Sequence, residues 1–321
     1  MIPMLDNKGI KGQKEELMPS SEGYDARTAA TSARALQTAV DAAAAEGELS
    51  RPLPPFLKWP GGKRWFVCNW SHILPAKFGT YIEPFLGAGS VYFHLRPSKA
   101  LLGDLNAELV NTYRVVRDSW RSLERSLRHH QQRHLENADS HYYTVRGRVP
   151  SGAYRQASRL IYLNRACFNG IYRVNAQGAF NVPRGTKTKI VVETDDFKTI
   201  AALLGGAELI AGDFEPLVDR AKAGDLVFCD PPYTVRHNYN GFRKYNEVLF
   251  SWNDQERLAA ALHRAADRGV KVICTNANHH SVRDLYRSSQ FELLAVSRYS
   301  RISAENSSRR YFEELIVRAN L

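Results

Sequence analysis

A chain of 321 residues with 44% hydrophobic and 11% aromatic residues carries ample material for a packed core, which excludes wholesale disorder. No run of eighteen apolar residues occurs, and the first residues lack the apolar stretch of a secretory signal, so neither a membrane span nor export is expected. Residues 1–50 are net −3, so residues 51–321 carry +14 of the overall +11, which points the folded part toward a polyanionic partner.

The four cysteines, Cys68, Cys167, Cys229 and Cys274, are scattered without a CxxC pair. They read as small buried residues of a reducing, cytoplasmic protein rather than as a zinc ribbon or disulfide framework.

In chain order, residues 1–52 form an acidic, alanine-rich tail in which ten of the twenty residues Ala26–Ala45 are alanine, with no apolar face to dock. The run Arg51-Pro-Leu-Pro-Pro55 excludes helix and marks a linker. Beyond it, Phe56-Leu-Lys-Trp-Pro-Gly-Gly-Lys63 places an aromatic face and a positive charge beside a flexible glycine pair. It is not a Walker sequence, because no Ser or Thr follows Lys63.

Tyr81-Ile82-Glu83 predicts a strand that ends in a glycine turn, Glu83-Pro-Phe-Leu-Gly-Ala-Gly-Ser90, with a helix over Ser90–Leu95. Such a turn lets the backbone approach a ligand where a helix begins. Ala100–Gly103 is a second strand, closed by Asp104, an acid placed to bind ribose hydroxyls or to cap the helix from Asn106. Ala207–Ala211, Asp225–Cys229 and Val270–Thr275 are further short apolar runs of the buried parallel type. The class is therefore α/β, with ligands expected at the carboxyl ends of the strands.

Between Arg114 and Arg173 the rhythm lapses, and the window holds 12 Arg, no Lys and 4 acids. Helix is expected through about Arg165, then a strand, a turn at Asn175-Ala-Gln-Gly178 and a strand over Gly170–Asn181. An arginine-rich insertion ending in a polar hairpin suits DNA reading, since arginine matches phosphate and guanine forks. Arg155, Arg159 and Arg165, on one helix, are expected to face phosphates. His129, His130 and His134 could share a helix face, but no carboxylate completes a metal set, so no metal is expected. The basic stretch from Arg298 to Arg310 lies between two apolar strands and reads as a solvated hairpin.

Asp230-Pro-Pro-Tyr233, directly after a buried strand, is a stiff loop whose carboxylate, Pro231 carbonyl and aromatic ring could bracket a planar amino group. Taken together and in this order, FLKWPGGK, EPFLGAGS, GDLN, LNRACFNGIYRVNAQGAFNVP, GDF and CDPPY resemble the Dam-like, alpha-order class of DNA adenine-N6 methyltransferases from Pro55 to Asn320.

The resemblance implies a Rossmann-like, S-adenosylmethionine-dependent methyltransferase core with an inserted, mainly helical recognition domain that ends in a β-hairpin. It divides the chain into the tail at 1–52, core at 53–113, insertion at 114–189 and core again at 190–321. It implies cofactor contacts from Trp59, Lys63, Phe85, Gly87, Gly89, Asp104, Asp213, Phe214 and Asp230, and a catalytic loop of Asp230, Pro231, Pro232 and Tyr233. Tyr233 would stack on a flipped-out base.

The implied partner is double-stranded DNA, contacted by Asn169, Ile171, Arg173, Asn175 and Pro183, with no obligate protein partner. Ile171 would wedge beside the vacated base and Arg173 would read guanine. The resemblance also offers the stretch from Arg298 to Arg310 as a loop near DNA, the alternative to a solvated hairpin. Family members that read GATC commonly carry Arg soon after the NVPxG segment, whereas Gly185 here is followed by Thr186 and Lys187, which leaves GATC open. The rival readings are methylation of cytosine N4 or an RNA base, and an inactive DNA-binding regulator on the same fold.

Overall fold

A computed structural model of the chain describes residues 53–175, 177–235, 250–299 and 311–321. The expected tail over 1–52 and the heart of the basic stretch, 300–310, lie outside the described residues.

Seven strands form one sheet: β1 (Tyr81–Glu83), β2 (Ala100–Asp104), β3 (Ala207–Ala211), β4 (Leu226–Cys229), β5 (Lys271–Ala277), β6 (Glu292–Tyr299) and β7 (Tyr311–Ala319). Their order across the sheet is β3-β2-β1-β4-β5-β7-β6. The first five pair in parallel, with Tyr81 beside both Ala100 and Leu226, and β7 runs antiparallel between β5 and β6. Strand order reverses between β1 and β4, the point at whose carboxyl ends an open α/β sheet places its ligand crevice. β4 is buried along its whole length, as a run of Leu, Val, Phe and Cys between two helical layers requires.

The described helices are α1 (Arg64–Trp70), α2 (Ser90–Leu95), α3 (Ala107–Glu136), α4 (Ala138–Gly147), α5 (Ala153–Ala166), α6 (Phe197–Leu204), α7 (Phe214–Asp219), α8 (Trp252–Asp267) and α9 (His280–Leu285). Helix α3 begins at Asn106, whose side chain accepts from the Leu109 amide, so Asn106 and not Asp104 is its cap. It continues past Arg114, where the insertion was expected to start, and kinks at Ser119. Leu123 and Leu127 of α3 and Leu160 and Ile161 of α5 pack in the same apolar cluster as Phe66 and Tyr81. A smaller cluster gathers Tyr142, Tyr162, Leu163, Phe180, Val182 and Ile190 beneath the hairpin segment.

The expected strand–turn–strand over 170–181 is reduced to a tight turn with single bridges, Val174 to Phe180 and Cys167 to Arg184. The Asn175 side-chain oxygen accepts from the amides of Gln177 and Ala179, and backbone bonds from the Asn175 amide to the Ala179 carbonyl at 2.9 Å and from the Asn181 amide to the Arg173 carbonyl at 3.2 Å close the turn with it. Among the cysteines, Cys167, Cys229 and Cys274 are buried, but Cys68 is exposed, on the outer face of α1. No described helix is long and apolar enough to cross a membrane.

Candidate active site

The end of β1 and the turn after it build one wall of the crevice. Gly87 and Gly89 adopt φ of +48° and +65°, a region that side chains disfavour. A Cβ on Gly87 would stand 3.1 Å from Trp59, so the indole packs directly on this turn. Asp104, closing β2, accepts from the Gly87 amide at 3.0 Å and from the Asn106 amide at 2.9 Å. Burial pushes its carboxyl above the usual range, and those two amides pull it back. Leu105 beside it is 70% exposed, an apolar side chain at a strand end that sequence reading passed over.

Asp213 and Phe214, by contrast, are already engaged. Asp213 caps α7 through the Glu215 amide and pairs with Arg257 at 2.8 Å. The Phe214 ring stacks on Phe85 at 5.3 Å, and the Arg257 guanidinium lies 4.9 Å from its centroid.

The opposite wall is the loop after β4. Asp230 takes the Lys63 ammonium at 2.7 Å and the Thr275 hydroxyl at 2.9 Å, both on Oδ1. Burial raises the Asp230 carboxyl above its usual range, while Lys63 and Thr275 lower it. The Gln255 amide, fully buried on α8, reaches the carbonyls of Pro232 and Thr234 at 3.4 Å each but not that of Pro231. Lys63 lies 4.9 Å from the Tyr233 ring centroid, and the Tyr233 hydroxyl donates to Glu314 at 2.7 Å.

Two acids complete this pocket. Glu83 accepts from the Tyr81 hydroxyl at 2.9 Å, and burial pushes its carboxyl well above the usual range. Glu314, 4% exposed on β7, lies 3.9 Å from Lys63. Sequence reading missed Glu314, although an acid directly before the apolar run Leu315-Ile316-Val317 was a visible signal.

The DNA-reading candidates lie at one edge. Asn169 has a positive φ of 55°, and Ile171 and Phe168 are 41% and 53% exposed, two large apolar side chains in solvent three residues apart. Phe168 was not singled out in the sequence. Arg173 and Pro183 are exposed, and the Arg173 Nε donates to Asn181 at 2.9 Å. Tyr172, between Ile171 and Arg173, turns inward and stacks on Trp59 at 4.7 Å and 25°.

Two of the arginines expected to face phosphates do not. Arg159 is buried and donates to the carbonyls of Val145 and Arg146. Arg165 is buried against Asp195, with two bonds of 2.6 Å, and against the carbonyls of Ile190 and Phe56. Their forks are filled by the protein's own oxygens, while Arg155 on the outer face of α5 is exposed.

Of His129, His130 and His134, two are held by hydrogen bonds within the protein. His134 bonds the Tyr162 hydroxyl and the Lys187 carbonyl, and His130 bonds His141 at 2.9 Å.

Beside Arg165, a groove of about 470 Å³ is lined by Lys58, Lys187 and Lys189, and its acid, Asp195, is committed to Arg165. The neighbouring Lys58 ammonium pulls Lys187 down to about 8.

A family model described as D12 class N6 adenine-specific DNA methyltransferase matches residues 59–302. The chain is 34% identical over 274 residues to a type II methyltransferase, M1.LlaDCHI, of Lactococcus lactis subsp. cremoris, covering 83% of this chain and 95% of that protein. It is 32% identical to the type II methyltransferase M.MjaIII of Methanocaldococcus jannaschii, covering 70% and 84% of the two chains. It is 29% identical to the DNA adenine methylase of Escherichia coli K12, covering 82% and 94%. With the family model spanning most of the folded part, the chain belongs to the D12 class of N6 adenine-specific DNA methyltransferases.

Proposed function

We propose that the chain transfers a methyl group from S-adenosylmethionine to N6 of an adenine turned out of a specific DNA duplex. The observation that carries this reading is the orientation of Asp230. Lys63 and Thr275 both engage Oδ1. That arrangement leaves Oδ2 for a substrate amine.

The crevice suits the cofactor. Gly87 and Gly89 form a left-handed turn whose backbone a side chain would obstruct, and the Asp104 carboxylate is bonded to the amide of that same turn. When bound there, S-adenosylmethionine would supply an electrophilic methyl on a sulfonium, and Trp59, Lys63, Phe85 and Asp104 would hold it. Asp213 and Phe214, engaged with Arg257 and Phe85, would contribute through their backbone and the wall they form.

An exocyclic amine conjugated to its ring is a poor nucleophile. Hydrogen bonds from N6 to Asp230 Oδ2 and the Pro231 carbonyl draw the nitrogen toward tetrahedral geometry and free its lone pair. The same acceptors would offset the positive charge that grows on nitrogen as the N–C bond forms and the methyl C–S bond of the sulfonium breaks to leave a neutral thioether, before the nitrogen sheds one proton to solvent. Positioning and preorganised electrostatics of this kind contribute several kcal/mol each.

The target amine lies inside a duplex, so the base must leave the stack. Phe168 and Ile171 provide apolar surface to fill the gap, and Tyr233 provides a face for the extruded base once Lys63 shifts from its ring. The Lys58, Lys187 and Lys189 groove beside the hairpin offers phosphate contacts.

Incubation with labelled cofactor and duplex DNA, followed by digestion to nucleosides, tests the reading. Label in N6-methyl-2′-deoxyadenosine supports it. Label in a cytosine, or none while DNA still binds, overturns it. Asp230→Ala should lower the rate roughly 10²–10³-fold with cofactor binding retained.

A further inference from the structure

Glu314 is a carboxylate where a sheet interior offers no reason for one. It stands on β7, the strand inserted between β5 and β6, opposite Ala277 and Val296 in register. It is 4% exposed, and Leu315, Ile316 and Val317 after it are fully buried. Burying a carboxylate there is costly unless it is hydrogen-bonded or paired. Glu314 is both, through the Tyr233 hydroxyl at 2.7 Å and the Lys63 ammonium at 3.9 Å. Its two partners are the residues that flank Asp230. Glu314 also lies beyond residues 59–302, the span that matches the family model.

We propose that Glu314 is a positioning residue for methyl transfer: its carboxylate fixes the Tyr233 ring through the phenol and draws the Lys63 ammonium toward β7, keeping Asp230 Oδ2 clear for the substrate amine. The proposal rests on the reading of Asp230 given above. Lys63 is shared unequally between two carboxylates, Asp230 at 2.7 Å and Glu314 at 3.9 Å. Removing the charge on β7 takes away the pull that opposes its closing over Asp230, and the ring it lies on loses the charged acceptor of its phenol.

A second consequence is electrostatic. Asp230 faces Lys63, Thr275, Tyr233 and Glu314, with Glu83, Cys229 and Cys274 nearby. The negative charge of Glu314 raises the Asp230 carboxyl, which makes it a more basic acceptor. Removing that charge lowers it, so the acid limb of the rate profile moves to lower pH.

The test compares Glu314→Gln with Tyr233→Phe in the full chain. Glutamine keeps an acceptor for the phenol and loses the charge, whereas phenylalanine loses the phenol bond and leaves the charge. Expected for Glu314→Gln are a fall in kcat of about tenfold or more, a cofactor Kd within about twofold, and an acid limb shifted to lower pH. Expected for Tyr233→Phe is a fall in kcat with the acid limb in place.

Wild-type kcat and an unshifted profile in Glu314→Gln would overturn the proposal and leave Glu314 a purely structural residue. Should Glu314→Gln not fold, Tyr233→Phe decides alone, since an unchanged kcat there means the tether does nothing. An unaltered chain that puts no label into adenine overturns the underlying reading instead, so the two failures are distinguishable.

Discussion

Replacing Arg165 by Met should destabilise the fold without altering the charge dependence of DNA binding. The guanidinium makes two bonds of 2.6 Å to Asp195, one of 2.8 Å to the Ile190 carbonyl and one of 3.0 Å to the Phe56 carbonyl. The side chains of the ion pair are 9% and 6% exposed, so water does not substitute for the lost partner. Methionine fills the volume but leaves the Asp195 carboxylate, still bonded to the Val192 amide, without its guanidinium and two carbonyls without that donor, a loss of about 3–5 kcal/mol for breaking one side of a buried pair. For a chain of this length, at roughly 2 °C per kcal/mol, Tm should fall by about 6–10 °C.

The assay pairs thermal unfolding with DNA affinity between 50 and 200 mM salt, using Lys187→Met as the comparison. Each phosphate contact contributes about 0.9 to the slope of log K against log salt. Arg165→Met should keep the slope, whereas Lys187→Met, which removes a cation lining the groove, should lower it by about one at unchanged Tm. If Arg165→Met instead keeps its Tm and loses one unit of slope, Arg165 reaches DNA and the account of its buried fork is wrong.

Arg173→Ala should cost about 1–3 kcal/mol of discrimination at one base pair, read as initial rates on cognate and singly substituted duplexes, and unchanged discrimination would remove the hairpin from the reader's role. Tyr172→Leu removes the stack on Trp59, about 0.5–1.5 kcal/mol, so calorimetry should show cofactor affinity reduced by up to tenfold, and an unaltered Kd would make the stack mere packing. Glu83→Gln should stabilise the chain increasingly as pH rises. The Glu83 carboxyl is raised by burial above its ordinary 4.5, so folding takes up a proton, and stability is lost from about that pH upward through the folded value. Parallel stability–pH curves for variant and parent, measured by denaturant titration, would contradict that assignment.

The local parts of the fold and site were legible in the sequence. Short apolar runs that end in Gly or Asp read as buried strands followed by turns, so β1, β2 and β4 and the turns at Gly87, Asp104 and Asp230 followed from period and turn chemistry. Six motifs in a fixed order then identified the family.

What lay beyond local spacing was decided by the tertiary structure. Arg159 and Arg165 looked like phosphate contacts because a fork's partners are not written beside it, and only the approach of Asp195 and the carbonyls of Val145 and Ile190 shows the forks to be full. Asp104 yields the cap to Asn106 because the Gly87 amide, from a different strand's turn, claims its carboxylate. Trp59 meets Tyr172, and Glu314 meets Tyr233 and Lys63, across more than eighty residues in each case. Sequence pattern reports which residues can be buried, but which two buried groups satisfy one another depends on how the sheet orders its strands, and that is settled only when the whole core closes.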